Sequence, residues 1–272
     1  MARSPKDMIL GLIAIGAADS DKGNDIKNLA FADYNQETDV LTLQDGNFAP
    51  VEDLPSGQRQ VGKKELRLTN PTLTNGILPV KIDACDVSLV ISNAVLASFQ
   101  NFPQEINGNF TLNNCVIKSF AGFPTKVSGD IKLNSVYIMA KDFTGFAQPT
   151  GKGLIEIIVT PNMQREFTLA GMPQRLDSSL TLTNMKFKKG SVSGGVAERP
   201  VGIIEGDLTL NNCGLTSAIG LPMRIGGNLN ATGSNSIDMK DISEAGISVI
   251  GQESKLVKSG IIEDTSAKEW DL

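Results

Sequence analysis

The 272-residue sequence predicts a mostly β fold: a single, capped solenoid in which about eight short strands form one parallel β-sheet. Three features of the chain indicate it. A strand-like segment recurs eight times, a proline-containing segment recurs between the strands, and the interval between copies stays close to one coil of a solenoid. A fixed period of 20 to 29 residues with one strand each is typical of leucine-rich-repeat-like folds.

The recurring strand reads apolar-x-apolar-x-Asn, and another apolar residue follows three positions later. Because side chains alternate between the two faces of a strand, the apolar positions should share one buried face. The middle apolar residues are 23, 21, 21, 24, 25, 28 and 21 positions apart, with a degenerate copy at Ile155–Val159. Those predicted to form a buried row are Leu68, Ile91, Leu112, Leu133, Leu182 and Leu210.

The segment between strands repeats as well. Ser98–Pro103 matches Ser119–Pro124 at an interval of 21 residues, and a glycine turn such as Asn107-Gly108-Asn109 precedes the next strand. Proline fixes φ and interrupts helix, so the return limb is expected to be extended or a short 3₁₀ turn. The glycine is expected to supply a corner with positive φ.

An asparagine ends most of the strands, and we expect it to have a structural role. In a buried corner, its amide could bond backbone groups of its own coil and of the adjacent coil. Stacked copies would then form a ladder along the solenoid. The predicted ladder consists of Asn70, Asn93, Asn114, Asn184 and Asn212.

Both ends of the chain depart from the repeat, which predicts three regions. Residues 1–60 are interpreted as an N-terminal cap or docking segment, residues 61–233 as the repeat solenoid, and residues 234–272 as a C-terminal cap and tail. Caps are expected because an open solenoid end exposes core and strand edge. The apolar run Met8–Ala18 stays open to two readings, a weak secretory signal or a docking helix.

Composition narrows the classes of function. A net charge of -5 and a pI near 4.9 argue against nucleic acid, which selects a basic face, and no membrane span is predicted. Histidine is absent, so imidazole chemistry and most transition-metal sites are not expected, and no cofactor is predicted. Cys85, Cys115 and Cys213 lack metal-ligand spacing and are interpreted as free thiols.

The outward-facing strand positions hold few catalytic groups. They are mostly small, polar and uncharged, and Glu156 is their only acid. A glycosidase needs two carboxylates about 5 to 9.5 Å apart. We therefore expect the protein not to be an enzyme, and polysaccharide hydrolysis on this sheet is disfavoured.

Insertions are the candidate contact surfaces, because solenoid insertions form loops that often bind partners. Extra residues near 139–153 and 186–202 should bulge from the coil, so that deletion of Lys188–Glu198 would spare folding. The second insertion is the most basic patch of an acidic chain. The only tryptophan, near the C-terminal end, is either a docking anchor or a ring packed on its own cap. The candidate contact residues are Lys186, Lys188, Lys189, Arg199, Lys152 and Trp270.

The two motifs together resemble the degenerate leucine-rich repeats of tailed-bacteriophage proteins. That pattern runs Gly-apolar-Pro, three residues to an apolar residue, then Gly-(Asp/Asn)-apolar-x-apolar-x-x-Asn-x-apolar. Residues 122–138 and 220–229 follow it best, coverage is about 65–233, and Ile155–Thr160 and the insertion before Ile203 depart from it.

The resemblance implies a phage-encoded binding or structural protein. The leading expectation is a decoration, tail or baseplate subunit that contacts other virion proteins and is assembled in the cytoplasm of the bacterial host. The alternative is an intracellular effector that binds a host protein, and an enzyme acting on polysaccharide is the third class.

Overall fold

The computed structural model describes residues 32–35, 40–44, 65–71, 73–78, 84–85, 88–161, 165–195, 199–233 and 237–257. The protein is mostly β, a parallel-strand solenoid of about eight turns with almost no helix among these residues. The chain divides into two compact units. The first is Met1–Lys141 with Gly145–Thr150, and the second is Asp142–Thr144 with Gly151–Leu272.

The first unit contains eleven strands among its described residues. In chain order they are β1 (Ala32–Asn35), β2 (Val40–Gln44), β3 (Glu65–Thr69), β4 (Ala84–Cys85), β5 (Ser88–Ser92), β6 (Val95–Leu96), β7 (Glu105–Ile106), β8 (Phe110–Asn113), β9 (Val116–Ile117), β10 (Lys126–Val127) and β11 (Ile131–Ile138).

These strands form three parallel ladders rather than the one sheet that was predicted. The main ladder runs β2-β3-β5-β8-β11, with β1 antiparallel to β2. A second runs β4-β7-β10, and a third joins β6, β9 and the end of β11. The prediction of a single sheet was wrong because stacking of the coils places the extended return limbs in register, where their backbone groups can pair.

The second unit repeats two of these ladders. Its main ladder is β12 (Ile155–Val159), β14 (Leu180–Thr183), β16 (Leu208–Asn211), β18 (Leu229–Thr232) and β20 (Lys255–Val257). Its return-limb ladder is β13 (Arg175–Leu176), β15 (Ile203–Ile204), β17 (Arg224–Ile225) and β19 (Ser248–Val249). A 3₁₀ turn, Lys188–Gly190, and one helix, α1 (Met239–Glu244), complete the described elements.

Parallel pairing continues past the limits that the repeat pattern set for the solenoid. At one end β2 pairs in register with β3, so that Leu43 faces Leu68. At the other end β20 pairs with β18, and Leu256 faces Ala231. The parallel coil therefore extends into both segments that were interpreted as caps.

The predicted core row is confirmed within each unit. Leu68, Ile91, Leu112 and Leu133 pair in sequence across the first unit, and Leu182 pairs with Leu210 in the second. All six side chains are buried, at 2 % exposure or less. The first unit adds an aromatic core, whose ring centroids lie 4.7 to 6.3 Å apart: Phe99, Phe102, Phe110, Phe120, Phe123 and Phe146.

The glycine before β8, β11, β16 and β18 serves close packing and not positive φ, which corrects the expectation. A Cβ on Gly129 would lie 2.2 Å from Oδ1 of Asn109, and φ there is not positive. That same Oδ1 accepts a hydrogen bond from the Asp130 backbone N–H at 2.8 Å. The side chain of one coil therefore occupies the space that glycine leaves in the next coil. Asp207 and Asn228 repeat the contact in the second unit, with an N–H···O distance of 2.7 Å.

Candidate functional site

The strand-end asparagines hold a turn, and most of them are not in a buried corner. Asn70, Asn93, Asn114 and Asn212 are exposed, and Asn184 is half-buried. All five have φ between 47° and 59°, a left-handed conformation that asparagine adopts more readily than most residues. Two amide bonds between coils occur at these positions among the described residues: Nδ2 of Asn212 donates to Oδ1 of Asn184 at 2.8 Å, and Nδ2 of Asn184 donates to the Val159 carbonyl at 3.4 Å.

A different set of side chains forms cross-coil hydrogen bonds on the outward face. In the first unit, Asn113 Nδ2 donates to Ser92 Oγ at 3.4 Å, and Asn134 Nδ2 donates to Asn113 Oδ1 at 3.1 Å. In the second unit, Asn211 bonds Thr183 at 3.5 Å and accepts from Thr232 Oγ1 at 3.0 Å. These residues were placed on the outward strand column, but their pairing was not predicted.

The 186–202 insertion does not bulge as a whole. Ser191, Val192 and Ser193 are buried at 0 %, 1 % and 6 % exposure, and the Leu169 backbone N–H donates to the Val192 carbonyl at 2.9 Å. Ser191 Oγ also donates to the Ile219 carbonyl at 2.6 Å. Deletion of Lys188–Glu198 would therefore remove core, and the expectation that it spares folding is wrong.

Three lysines of this insertion do project outward. Lys186 and Lys188 stand on either side of buried Phe187, and Lys189 follows in the 3₁₀ turn. All three are exposed, and no ion pair involves them among the described residues. We call Lys186, Lys188 and Lys189 the lysine face. Exposed Glu166 is its acidic neighbour, because Phe167 pairs in parallel with Phe187.

Arg199 does not belong to the lysine face. Its guanidinium donates to the carbonyls of Leu221 and Ala245, the second at 3.0 Å, and the residue is half-buried. The carbonyls of Arg199 and Pro200 in turn accept from Nε2 of Gln174 at 3.2 and 3.1 Å. The guanidinium donors of Arg199 therefore serve the backbone of its own unit, and its role as a partner contact stays a prediction.

The remaining two candidates fall in different places. Lys152 is exposed near the start of the second unit. Trp270 lies outside the described residues, as does the apolar run Met8–Ala18. The lysine face thus combines three of the six predicted contact residues.

The first unit carries an exposed apolar surface that sequence reasoning missed. Val95, Val116 and Tyr137 face one another across β6, β9 and β11, and Met139 follows two residues further on. Val95, Tyr137 and Met139 are 49 %, 45 % and 48 % exposed. We call Val95, Val116, Tyr137 and Met139 the apolar stripe. Its signal in the sequence is the apolar residue two positions after Asn93, Asn114 and Ser135.

The described cysteines are structural thiols. Cys85, Cys115 and Cys213 are free and buried, in accord with the interpretation from the sequence. Burial raises the pKa of the Cys115 thiol, and it raises that of Cys213 to about 12. Thiolate is the nucleophilic and metal-binding form of cysteine, and a raised pKa suppresses it near neutral pH.

Other features of the described residues are modest. No group of three or more acidic or cysteine side chains is placed to hold a metal ion in the described ranges. No helix there is long and apolar enough to cross a membrane. A shallow groove of about 250 Å³ lies beside α1, lined by Thr216, Ser217, Ala218, Ile219, Ile237, Asp241, Glu244 and Ala245.

Comparison with known proteins gives no relatives. No family model, no curated protein and no solved structure matches this chain.

Proposed function

We propose that the protein is a non-enzymatic, protein-binding structural component of a bacteriophage particle, a decoration, tail or baseplate subunit. Its partners would be other virion proteins rather than nucleic acid or membrane. It would be assembled into the virion in the cytoplasm of the bacterial host. The repeat motif supports the phage origin by resemblance, and the observation that carries the binding role is the lysine face.

The lysine face has the features of a contact for an acidic neighbour. Three exposed ammonium groups lie within four residues, on a chain whose net charge is -5. The stems of Lys188 and Lys189 run close to Gly194 and Gly195, since a Cβ built on each glycine would lie 3.6 and 3.0 Å from the Cδ of the respective lysine. Charge complementarity of this kind steers association and sets specificity more than it adds affinity.

Mass spectrometry of purified particles tests the location. Recovery of the chain in many copies per particle would support a virion subunit. Its absence from particles, together with its presence in infected cells, would overturn the virion role and favour the effector that binds a host protein.

Charge reversal tests the surface. Lys188→Glu should reduce incorporation into particles, Lys186→Glu with Lys188→Glu should reduce it further, and the loss should grow as the salt concentration falls. Lys240→Glu is the matched control, because Lys240 is an exposed lysine of the same unit on α1. Equal incorporation of both variants would remove the lysine face from the proposal.

A further inference from the structure

The groove beside α1 in the second unit has lysines on one side and carboxylates on the other. The lysine face stands on the first side, and α1 forms the second. We propose that a second copy of this chain docks here about a two-fold axis, so that the lysine face of each copy contacts α1 of the other. The proposal rests on the proposed role of the lysine face as a protein contact, and it identifies the acidic neighbour.

Backbone hydrogen bonds place the lysine face beside the groove. The Gly190 carbonyl, directly after Lys189, accepts from the backbone N–H groups of Thr216 and Ser217 at 2.9 and 3.1 Å. Thr216 and Ser217 line the groove, and residues of α1 line its other side. Exposed Glu166 belongs to the preceding coil, so the lysines stand between it and the groove.

The helix presents carboxylates to the groove. Asp241 and Glu244 both line it, and residues three apart lie on the same face of a helix. Segment 238–244 as a whole holds three acidic residues and one lysine. The position of the helix is fixed at its end, because Nη2 of Arg199 donates to the Ala245 carbonyl at 3.0 Å. The acidic side of the groove is therefore built into the fold.

An exposed isoleucine lies in the coil between the two charged sides. Ile219 lines the groove and is 50 % exposed, although its neighbours Ala218 and Leu221 are buried. Its backbone is held in place, because the Ser191 hydroxyl donates to the Ile219 carbonyl at 2.6 Å. An apolar centre with charged groups around it is the usual arrangement of a protein–protein interface.

The pairing of charges selects a second copy as the occupant. A uniformly acidic partner would be repelled by the carboxylates of α1, and a uniformly basic partner would be repelled by the lysine face. In an isologous contact the same patch is used by both copies, and each contact between two different residues occurs twice. A two-fold axis near Ile219 therefore places both lysine faces against carboxylates and leaves the two isoleucines at the centre.

Charge reversal on either side should separate the copies. Sedimentation equilibrium of the purified full-length protein at low salt should show a dimer of the wild type that weakens as salt is added. Lys188→Glu and Glu244→Lys should each raise the dissociation constant about tenfold, because each reverses two exposed ion pairs. Both side chains are exposed, so thermal melts of the variants should match that of the wild type.

A mixture of the two variants tests the two-fold arrangement itself. In a mixed dimer the introduced glutamate faces the introduced lysine, and the unchanged Lys188 and Glu244 face each other. An equimolar mixture should therefore regain the wild-type dissociation constant, although each variant alone dimerises weakly. Repulsion within one chain could not be relieved in this way.

Two matched controls address charge and apolar area separately. Lys118 is exposed and follows the last residue of β9 in the first unit, as Lys188 follows Phe187, so Lys118→Glu makes the same change at an equivalent coil position. Ile219→Ser should weaken the dimer. Ile250→Ser replaces an isoleucine of 53 % exposure that follows β19, and it should leave the dimer unchanged.

Several results would overturn the proposal. They are a wild type that stays monomeric at every concentration, charge variants that dimerise like the wild type, a mixture that does not regain association, or controls that weaken the dimer equally. A monomeric wild type whose incorporation into particles still falls with Lys188→Glu would assign the acidic neighbour to another virion protein. Particles that lack the chain would overturn the virion role alone and leave dimerisation of the purified protein in place.

Discussion

The two units share the same type of coil but differ in the side chains of its core and of its outer rows. In the first, the residue two positions before the (Gly/Asn)-Phe-Pro turn is phenylalanine, as at Phe99 and Phe120, and the outer row of the third ladder is apolar. In the second, the same position holds Leu169 and Ala218, and the residues around buried Phe187 are lysines. Coil length differs too: 21 residues separate Leu112 from Leu133, and 28 separate Leu182 from Leu210.

The two units share the backbone features that hold one coil on the next, which we call the frame. Both have left-handed residues at strand ends, a glycine packed against the preceding coil, and side-chain oxygens that accept from the next coil. Backbone geometry therefore fixes the repeat, while the core side chains and outer rows are free to diverge. The predictions that follow test this division, from the largest expected effect to the smallest.

Replacement of a core phenylalanine should give the largest loss of stability. Phe120 is 1 % exposed and its ring centroid lies 5.5 to 6.1 Å from those of Phe99, Phe123 and Phe146. Phe120→Ala should lower the free energy of unfolding by about 3–5 kcal/mol through the transfer and cavity terms. Phe120→Leu should cost much less, because leucine fills the same coil position at Leu169. Equal losses of stability for the two variants in denaturant titrations would show that phenylalanine and leucine are not interchangeable at this position.

Two glycines separate the cost of conformation from the cost of packing. Gly122 has φ 78°, and a Cβ there would lie 2.9 Å from the carbonyl carbon of Phe99. Gly214 has φ 62° and nothing within 4 Å of a Cβ. Both substitutions to Ala should cost about 1–2 kcal/mol for the left-handed backbone, and Gly122→Ala should cost roughly 1–3 kcal/mol more for overpacking. Thermal or denaturant unfolding of the two variants measures the difference, which would vanish if coils can separate freely.

Asn114 distinguishes the turn from the amide ladder. It is exposed and has φ 53°. Asn114→Leu should cost about 1–2 kcal/mol, because leucine tolerates the left-handed region poorly. Asn114→Gly should stay within about 0.5 kcal/mol of the wild type. If glycine destabilised the protein as much as leucine in chemical denaturation, the side-chain amide and not the backbone would be responsible.

The sequence predicted the buried row because apolar residues at every second position have one stable arrangement in a stacked coil. It also predicted the extended return limb from proline at positions such as Pro103 and Pro124. It did not predict that those limbs pair, since pairing depends on register between coils, which one coil does not encode. The burial of Val192 was missed for a related reason. A 28-residue coil must still close on the same core, so part of the extra length was drawn inward.

Arg199 and Tyr137 show why the candidate surfaces were harder to predict. Arginine in a glycine- and serine-rich stretch indicates a solvated charge, but the carbonyl groups of Leu221 and Ala245 lie within reach only in the folded chain. Tyr137 reads as one apolar residue in a strand until stacking aligns it with Val95 and Val116. A surface site in a solenoid is formed by side chains of several neighbouring coils. The sequence of one repeat therefore predicts the backbone of the coil better than it predicts the surface.

The matched cysteines give the smallest effect near neutral pH. Cys115 and Cys213 each follow a strand-end asparagine. Each Sγ lies within hydrogen-bonding distance of two backbone carbonyls, at 3.3 and 3.6 Å for Cys115 and at 3.4 and 3.4 Å for Cys213. Burial raises both pKa values, that of Cys213 from 9.0 to about 12. Between these pH values the folded state keeps a proton that the unfolded state releases.

Stability should therefore be unaffected by Cys213 below pH 9 and should fall as pH rises from 9 to 12, by up to about 1.4 kcal/mol per pH unit. Cys213→Ala should flatten this part of the profile in denaturant titrations, while its cavity cost shifts the whole curve equally at every pH. Cys115→Ala should flatten it as well, because burial also raises the pKa of that thiol. If the profiles of the wild type and both variants run parallel above pH 9, the thiols do not stay protonated in the folded coil. Water would then reach this part of the core in both units.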